Sequence, residues 1–192
     1  MTIHTSYGVV TEPGTVRIER LLPGPAERIW SYLTDSDRRS KWLAGGPMEL
    51  RAGGLVENVF RNSELTRNDD PPPAHLAALA EHKVPGEIIA CEPPYLLAYS
   101  WGGAAETGES SEVRFELEPR NDKVLLTVTH RRLTDPGAML NVAAGWHTHL
   151  GILAARLEGR EPDGFWRTHT RLVSEYAERF GSPQAAASRA GE

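Results

Sequence analysis

Histidine supplies most of the acid–base chemistry available to this chain near neutral pH, and two of its seven histidines stand out. His130 lies in the run KVLLTVTHRRL, on the face that also carries Leu126 and Val128. His147 lies in DPGAMLNVAAGWHTHLGILAARLEG, three or four positions from Ala143, Leu150 and Gly151, at the edge of an apolar stripe. Either is a candidate general base or a group that orients a ligand. The plainer alternative is a hydrogen-bonded histidine at a core edge. His147 and His149 point about 200° apart around a helix, so they do not share a metal ion. The sequence has no HExxH, no cysteine–histidine cluster, no GxSxG, no GxGxxG and no Walker pattern. The reading is therefore no metal and no cofactor. Cys91 is the one cysteine; it allows no intrachain disulfide and reads as a buried, inert thiol.

These residues need elements to position them. In Asp135 to Gly159, apolar residues recur at threes and fours: Met139, Val142, Ala143, Trp146, Leu150, Leu153, Ala154 and Leu157. That predicts a helix of about 22 residues, roughly 33 Å long. Asp135 suits its N-cap, Pro136 its first turn and Gly159 its stop. A second amphipathic run covers Phe165 to Phe180. Earlier, a short strand is expected within 6–13. Thr15 to Leu22 then alternates, with Val16, Ile18 and Leu22 on one face and Arg17 and Glu19 on the other. A helix over about 25–33 and a shorter one in DRRSKWLA follow. MELR and LVENVF read as strands joined by Ala52-Gly53-Gly54. Residues 62–83 form a long polar, proline-rich loop, either a lid or a crossing between strands. Three more strands are expected, over Gly86–Glu92, Tyr95–Trp101 and Ser111–Glu118. A last one covers Lys123–Leu133, and short links make an antiparallel meander. An acidic turn spans 102–110.

Composition excludes several function classes. The net charge of −5 and the absence of a basic run argue against nucleic acid and against acidic membrane surfaces. No apolar run approaches the ~20 residues of a membrane span. The N-terminal residues lack the pattern of a signal peptide, which predicts a cytoplasmic protein. The expected organisation is one domain over 6–180 with a frayed tail over 181–192.

Four stretches carry a resemblance: RIERLLPGPAERIWSYLTDSDRRSKWL, GEIIACEPPYLLAYSW, VRFELEPRNDKVLLTVTHRRL and AGWHTHLGILAARLEG. In this order, over roughly residues 8–160, the chain resembles the START-like (SRPBCC, helix-grip) superfamily. Within it, the chain is similar to the branch named for the activator of heat shock protein 90 ATPase. The resemblance implies an α+β helix-grip fold. A curved antiparallel sheet would wrap a long C-terminal helix, with a two-helix insertion after the first strand and an extra C-terminal helix.

It also implies a cavity between sheet and helix. The residues placed around that cavity are Trp42, Phe60, Tyr99, Trp101, Phe115, His130, Trp146, His147 and Leu150; the alternative is that they fill a solid core. The expected function is binding of a small hydrophobic or aromatic molecule. A cyclase- or hydrolase-type enzyme using a cavity histidine is one alternative. A chaperone-interaction module, as the branch name implies, is another, and a homodimer through the 165–180 helix is a third.

Overall fold

Alternation makes β2 (Thr15–Pro23) a strand with one buried face, formed by Val16, Ile18, Arg20 and Leu22. The computed structural model describes residues 6–102 and 110–181. β1 (Val9–Glu12) pairs with β2 at one edge of a seven-stranded antiparallel sheet. The other strands are β3 (Leu55–Arg61), β4 (Glu81–Glu92), β5 (Leu96–Trp101), β6 (Ser111–Arg120) and β7 (Lys123–Arg131). Their spatial order is β1-β2-β7-β6-β5-β4-β3. The meander thus runs back from β3 until β7 meets β2. Register places Val16, His130, Val113, Tyr99 and Ile88 in one row across five strands. The next inward row holds Ile18, Val128, Phe115 and Leu97.

The helix pair α1 (Ala26–Thr34) and α2 (Ser36–Arg39) follows β2. Arg39 is fully buried and donates to the carbonyls of Thr34, Ala44 and Gly46, which fixes the loop behind α2. The long helix α3 (Pro136–Leu157) lies on the inner face of the sheet. Asp135 accepts the Ala138 N–H at 2.7 Å and Gly159 takes φ +69°, so both ends stop as the sequence predicts. Leu150, Leu153 and Leu157 join Leu97, Phe115 and Leu126 in the core. The extra helix α4 (Phe165–Phe180) packs along α3. It also ties the two ends of the described chain together. The Gly8 N–H donates to the Tyr176 hydroxyl at 2.6 Å, and the Tyr7 hydroxyl bonds Glu175. No helix among the described residues is long and apolar enough to cross a membrane.

Three stretches differ from expectation. MELR is not a strand: it meets β3 only around the single Met48–Val56 bridge, through Glu49 N–H to Leu55 and Glu57 N–H to Pro47, and beyond it the backbone bonds locally, Arg51 N–H to Glu49 and Gly54 N–H to Arg51. β4 starts at Glu81, through Pro85, because residues 81–87 pair with β3 and only Ile88 onward pairs with β5. At this changeover Gly86 is required, since a Cβ there would lie 2.1 Å from the Ser100 carbonyl oxygen. The long loop is also ordered into parts, with 3₁₀ turns at Asn62–Glu64 and Ala74–Leu79. Between them the chain docks on the start of α4, whose own N-cap, Gly164, has no side chain. Thr66 Oγ1 accepts the Phe165 N–H and Asp69 accepts those of Trp166 and Arg167. A distant segment therefore caps this helix. Most of the acidic turn (103–109) and the tail from 182 fall outside the described residues.

Candidate functional site

Where α3 crosses the β5–β7 end of the sheet, the two do not close on each other. A cavity of about 240 Å³ remains between them. Val142, Gly145, Trp146 and His149 supply the α3 wall, at helical spacings of three, one and three. Trp101 and His130 supply the sheet wall, with Phe60 and His82 from the β3–β4 pair. Phe165, Trp166 and His169 of α4 close one end, and Leu76 and Leu79 of the second 3₁₀ turn cover another. Trp101 meets Trp146 edge-on at 5.3 Å and Phe60 at 5.7 Å, while Phe60 stacks on His82 at 4.8 Å. Among the described residues, the lining holds no Asp, Glu, Lys or Arg.

Burial disfavours the charged form of His130 and His149. Trp146 Nε1–H donates to His130 Nδ1 at 3.1 Å, so the His130 proton sits on Nε2 and goes to Ser111 Oγ at 2.9 Å. Burial, helped by Arg132, holds this imidazole down to about 3. Both its nitrogens are occupied. His149 Nδ1 donates to the Trp42 carbonyl at 2.7 Å, which leaves Nε2 as the acceptor; burial holds it down to about 4. Two polar atoms at the cavity have no partner: Asn62 Oδ1 and His169 Nδ1.

The nine residues placed around a cavity from the sequence separate into three groups. Phe60, Trp101, His130 and Trp146 line it. Trp42, Tyr99, Phe115 and Leu150 are enclosed in the core, with Tyr99 stacked between Trp101 and Phe115. His147 is on the opposite flank of α3. Its Nδ1 accepts from the Tyr176 hydroxyl at 3.0 Å, and burial together with Arg20 holds it down to about 3. α3 lies between the sheet and α4, so the edge of its stripe faces α4 rather than the cavity. The lining residues missed include His82, Phe165, Trp166 and His169, and also His149, although it continues the run Val142, Gly145, Trp146. Arg20 was missed too, although strict alternation puts it on the Val16–Ile18–Leu22 face. Cys91 is half-buried, and burial raises its thiol. Among the described residues no three His, Cys, Asp or Glu side chains gather to hold a metal ion.

Comparison with solved structures gives the same architecture. The Bordetella parapertussis protein encoded by gene BPP1335 is 40% identical, with 93% of each chain covered and a TM-score of 0.76. CalU16 from Micromonospora echinospora is 23% identical, over 90% of this chain and 94% of that one, with a TM-score of 0.62. The Aha1 dimer from Colwellia psychrerythraea is 17% identical, over 75% and 96%, with a TM-score of 0.57. The last two bear on the fold alone. Comparison with curated proteins gives no match. Residues 23–158 match the family described as Activator of Hsp90 ATPase homolog 1-like protein. With that match, and the sheet, the helix pair and α3 arranged as a helix grip, the chain belongs to this family of the SRPBCC superfamily.

Proposed function

We propose that this chain binds a small, neutral aromatic molecule in the cavity between the sheet and α3. The observation that carries the reading is the lining: aromatic faces on three sides, no charged side chain among the described residues, and two imidazoles, His130 and His149, that burial keeps neutral. A carboxylate or ammonium would enter without a counter-charge, at a cost of several kcal/mol. A flat apolar ring meets aromatic partners, and a hydroxyl on it would satisfy Asn62 Oδ1 or His169 Nδ1. Burying ~300 Å² of ligand at roughly 25 cal/mol per Å² gives ~7 kcal/mol before entropic costs, hence at best micromolar affinity.

Binding fits the site better than catalysis. His130 has no free nitrogen, and His149 is far too weak a base for proton abstraction at neutral pH. The chaperone reading rests on the family's name and on no feature of the cavity. Native mass spectrometry of freshly purified protein, followed by thermal unfolding with naphthol and with decanoate, tests the proposal. Naphthol at a hundredfold excess over its dissociation constant would add ~2.7 kcal/mol, a rise of several degrees, and decanoate would add nothing. A clean apo mass with no shift from naphthol refutes it.

A further inference from the structure

The other flank of α3 is open as well. A pocket of about 310 Å³ lies between β2, α3 and α4, apart from the aromatic cavity. His147 and Gly151 of α3, Thr168 and Arg171 of α4, and Arg160 of the connection form its walls; Arg20 of β2 lies against it from the core side. Arg20 is 1% exposed. Its Nη1 donates to the carbonyls of Ser6 and Glu19 at 2.7 Å, and its Nε and Nη2 have no hydrogen-bond partner among the described residues.

A buried charge is ordinarily paired, because an isolated one costs several kcal/mol in lost hydration. Arg20 makes no ion pair with any described carboxylate. Of the acids around the pocket, Glu158 in its lining pairs with Arg160, and Glu175 beside it pairs with Arg171. The third, Asp163, is exposed and acts on Arg167. Arg20, Arg160 and Arg171 against Glu158 and Asp163 leave the lining with one positive charge over, and at His147 the arginines Arg20, Arg171 and Arg179 act against Glu175. The unpartnered Nε and Nη2 form the edge of a guanidinium that grips oxyanions with two parallel N–H bonds.

We infer that this pocket is a second binding site, one for an oxyanion: a phosphate or carboxylate group held between Arg171 and Thr168, with the Nε–Nη2 edge of Arg20, closed to solvent in this structure, turning to meet it. The site is independent of the aromatic cavity, and each stands or falls without the other.

The test uses the full chain in buffers of matched ionic strength, titrated with inorganic phosphate, acetate or chloride. Thermal unfolding of the parent and of Arg20→Met is compared, because phosphate also stabilises proteins by exclusion from their surfaces. The expected result is a rise of about 2–4 °C at saturating phosphate or acetate in the parent beyond any rise in Arg20→Met. A stronger response to phosphate assigns a phosphorylated ligand, and one to acetate a carboxylate. Equal rises in parent and variant overturn the proposal. Should Arg20→Met fail to fold, the parent alone decides. A saturable movement of the Arg20 Nε–H resonance in nitrogen-correlated NMR supports the site, and a linear drift or no movement refutes it.

Discussion

Replacing Gly145 by alanine sets helix stability against cavity volume. Gly145 lies in the middle of α3, where glycine costs about 1 kcal/mol relative to alanine through its backbone entropy. The new Cβ would meet nothing within 4 Å, so no clash offsets the gain. The variant should therefore melt about 2–4 °C higher than the parent. The same methyl enters the aromatic cavity, of which Gly145 forms part of the wall. A ligand that fills 240 Å³ must then shift or be overpacked, at about 1–3 kcal/mol, or roughly a 5- to 150-fold weaker dissociation constant. Gly151→Ala, on the other flank of the same helix, brings the same helix gain and leaves the cavity untouched. Thermal unfolding gives the first quantity. Quenching of Trp101 and Trp146 fluorescence by naphthol gives the second. A Gly145→Ala protein that is stabilised yet binds naphthol within twofold of the parent refutes the placement of the ligand. One that is destabilised refutes the open space beside Gly145.

Trp146→Phe removes the donor to His130 Nδ1 and leaves a buried acceptor unpaired. Urea unfolding should show a loss of about 1–3 kcal/mol. Asp69→Ala removes the cap of α4 and should cost about 1–2 kcal/mol by the same assay, whereas Arg167→Gln, whose ion pair with Asp70 is exposed, should leave the melting temperature unchanged. Stability should also fall in acid. His130, His147 and His149 have folded pKa values depressed below the ordinary value, so their neutral forms favour the folded state above pH ~6.5. As the pH falls the unfolded chain takes up protons first; for His149 alone the loss by pH 5 is about 2 kcal/mol. Equal unfolding free energies at about pH 7.5 and about pH 5, either side of ~6.5, would contradict the burial of these rings.

The elements that close local hydrogen bonds were legible in the sequence. Asp135, Pro136 and Gly159 mark α3 to within two residues because caps and stops are local chemistry. The meander from β5 to β7 was equally plain, since Leu97, Tyr99 and Trp101, then Val113, Phe115 and Leu117, then Leu126, Val128 and His130 recur at every second position along their strands. What was not legible depends on partners far away in the chain. Pro85 and Gly86 look like a strand boundary, yet pairing with β3 carries the strand back to Glu81. Residues 66–70 look like a polar crossing until α4, about a hundred residues later, supplies three unpaired N–H groups. The cavity divides along the same line. Alternation identified Trp101 and His130, whereas choosing between His147 and His149 required knowing that α4 covers one flank of α3.

The bonds from Tyr7 and Gly8 to Glu175 and Tyr176 join residues nearly the whole chain apart. In connectivity the domain is a ring lacking one peptide bond, and its starting point in sequence is arbitrary with respect to its packing. A variant with the ends around Ser6 and Gly181 joined by a flexible linker, and cut instead at the exposed Asn121-Asp122 turn between β6 and β7, should keep the same sheet order and both pockets. The order of synthesis would change, with β7 and α3 emerging first, while every contact described above stayed in place.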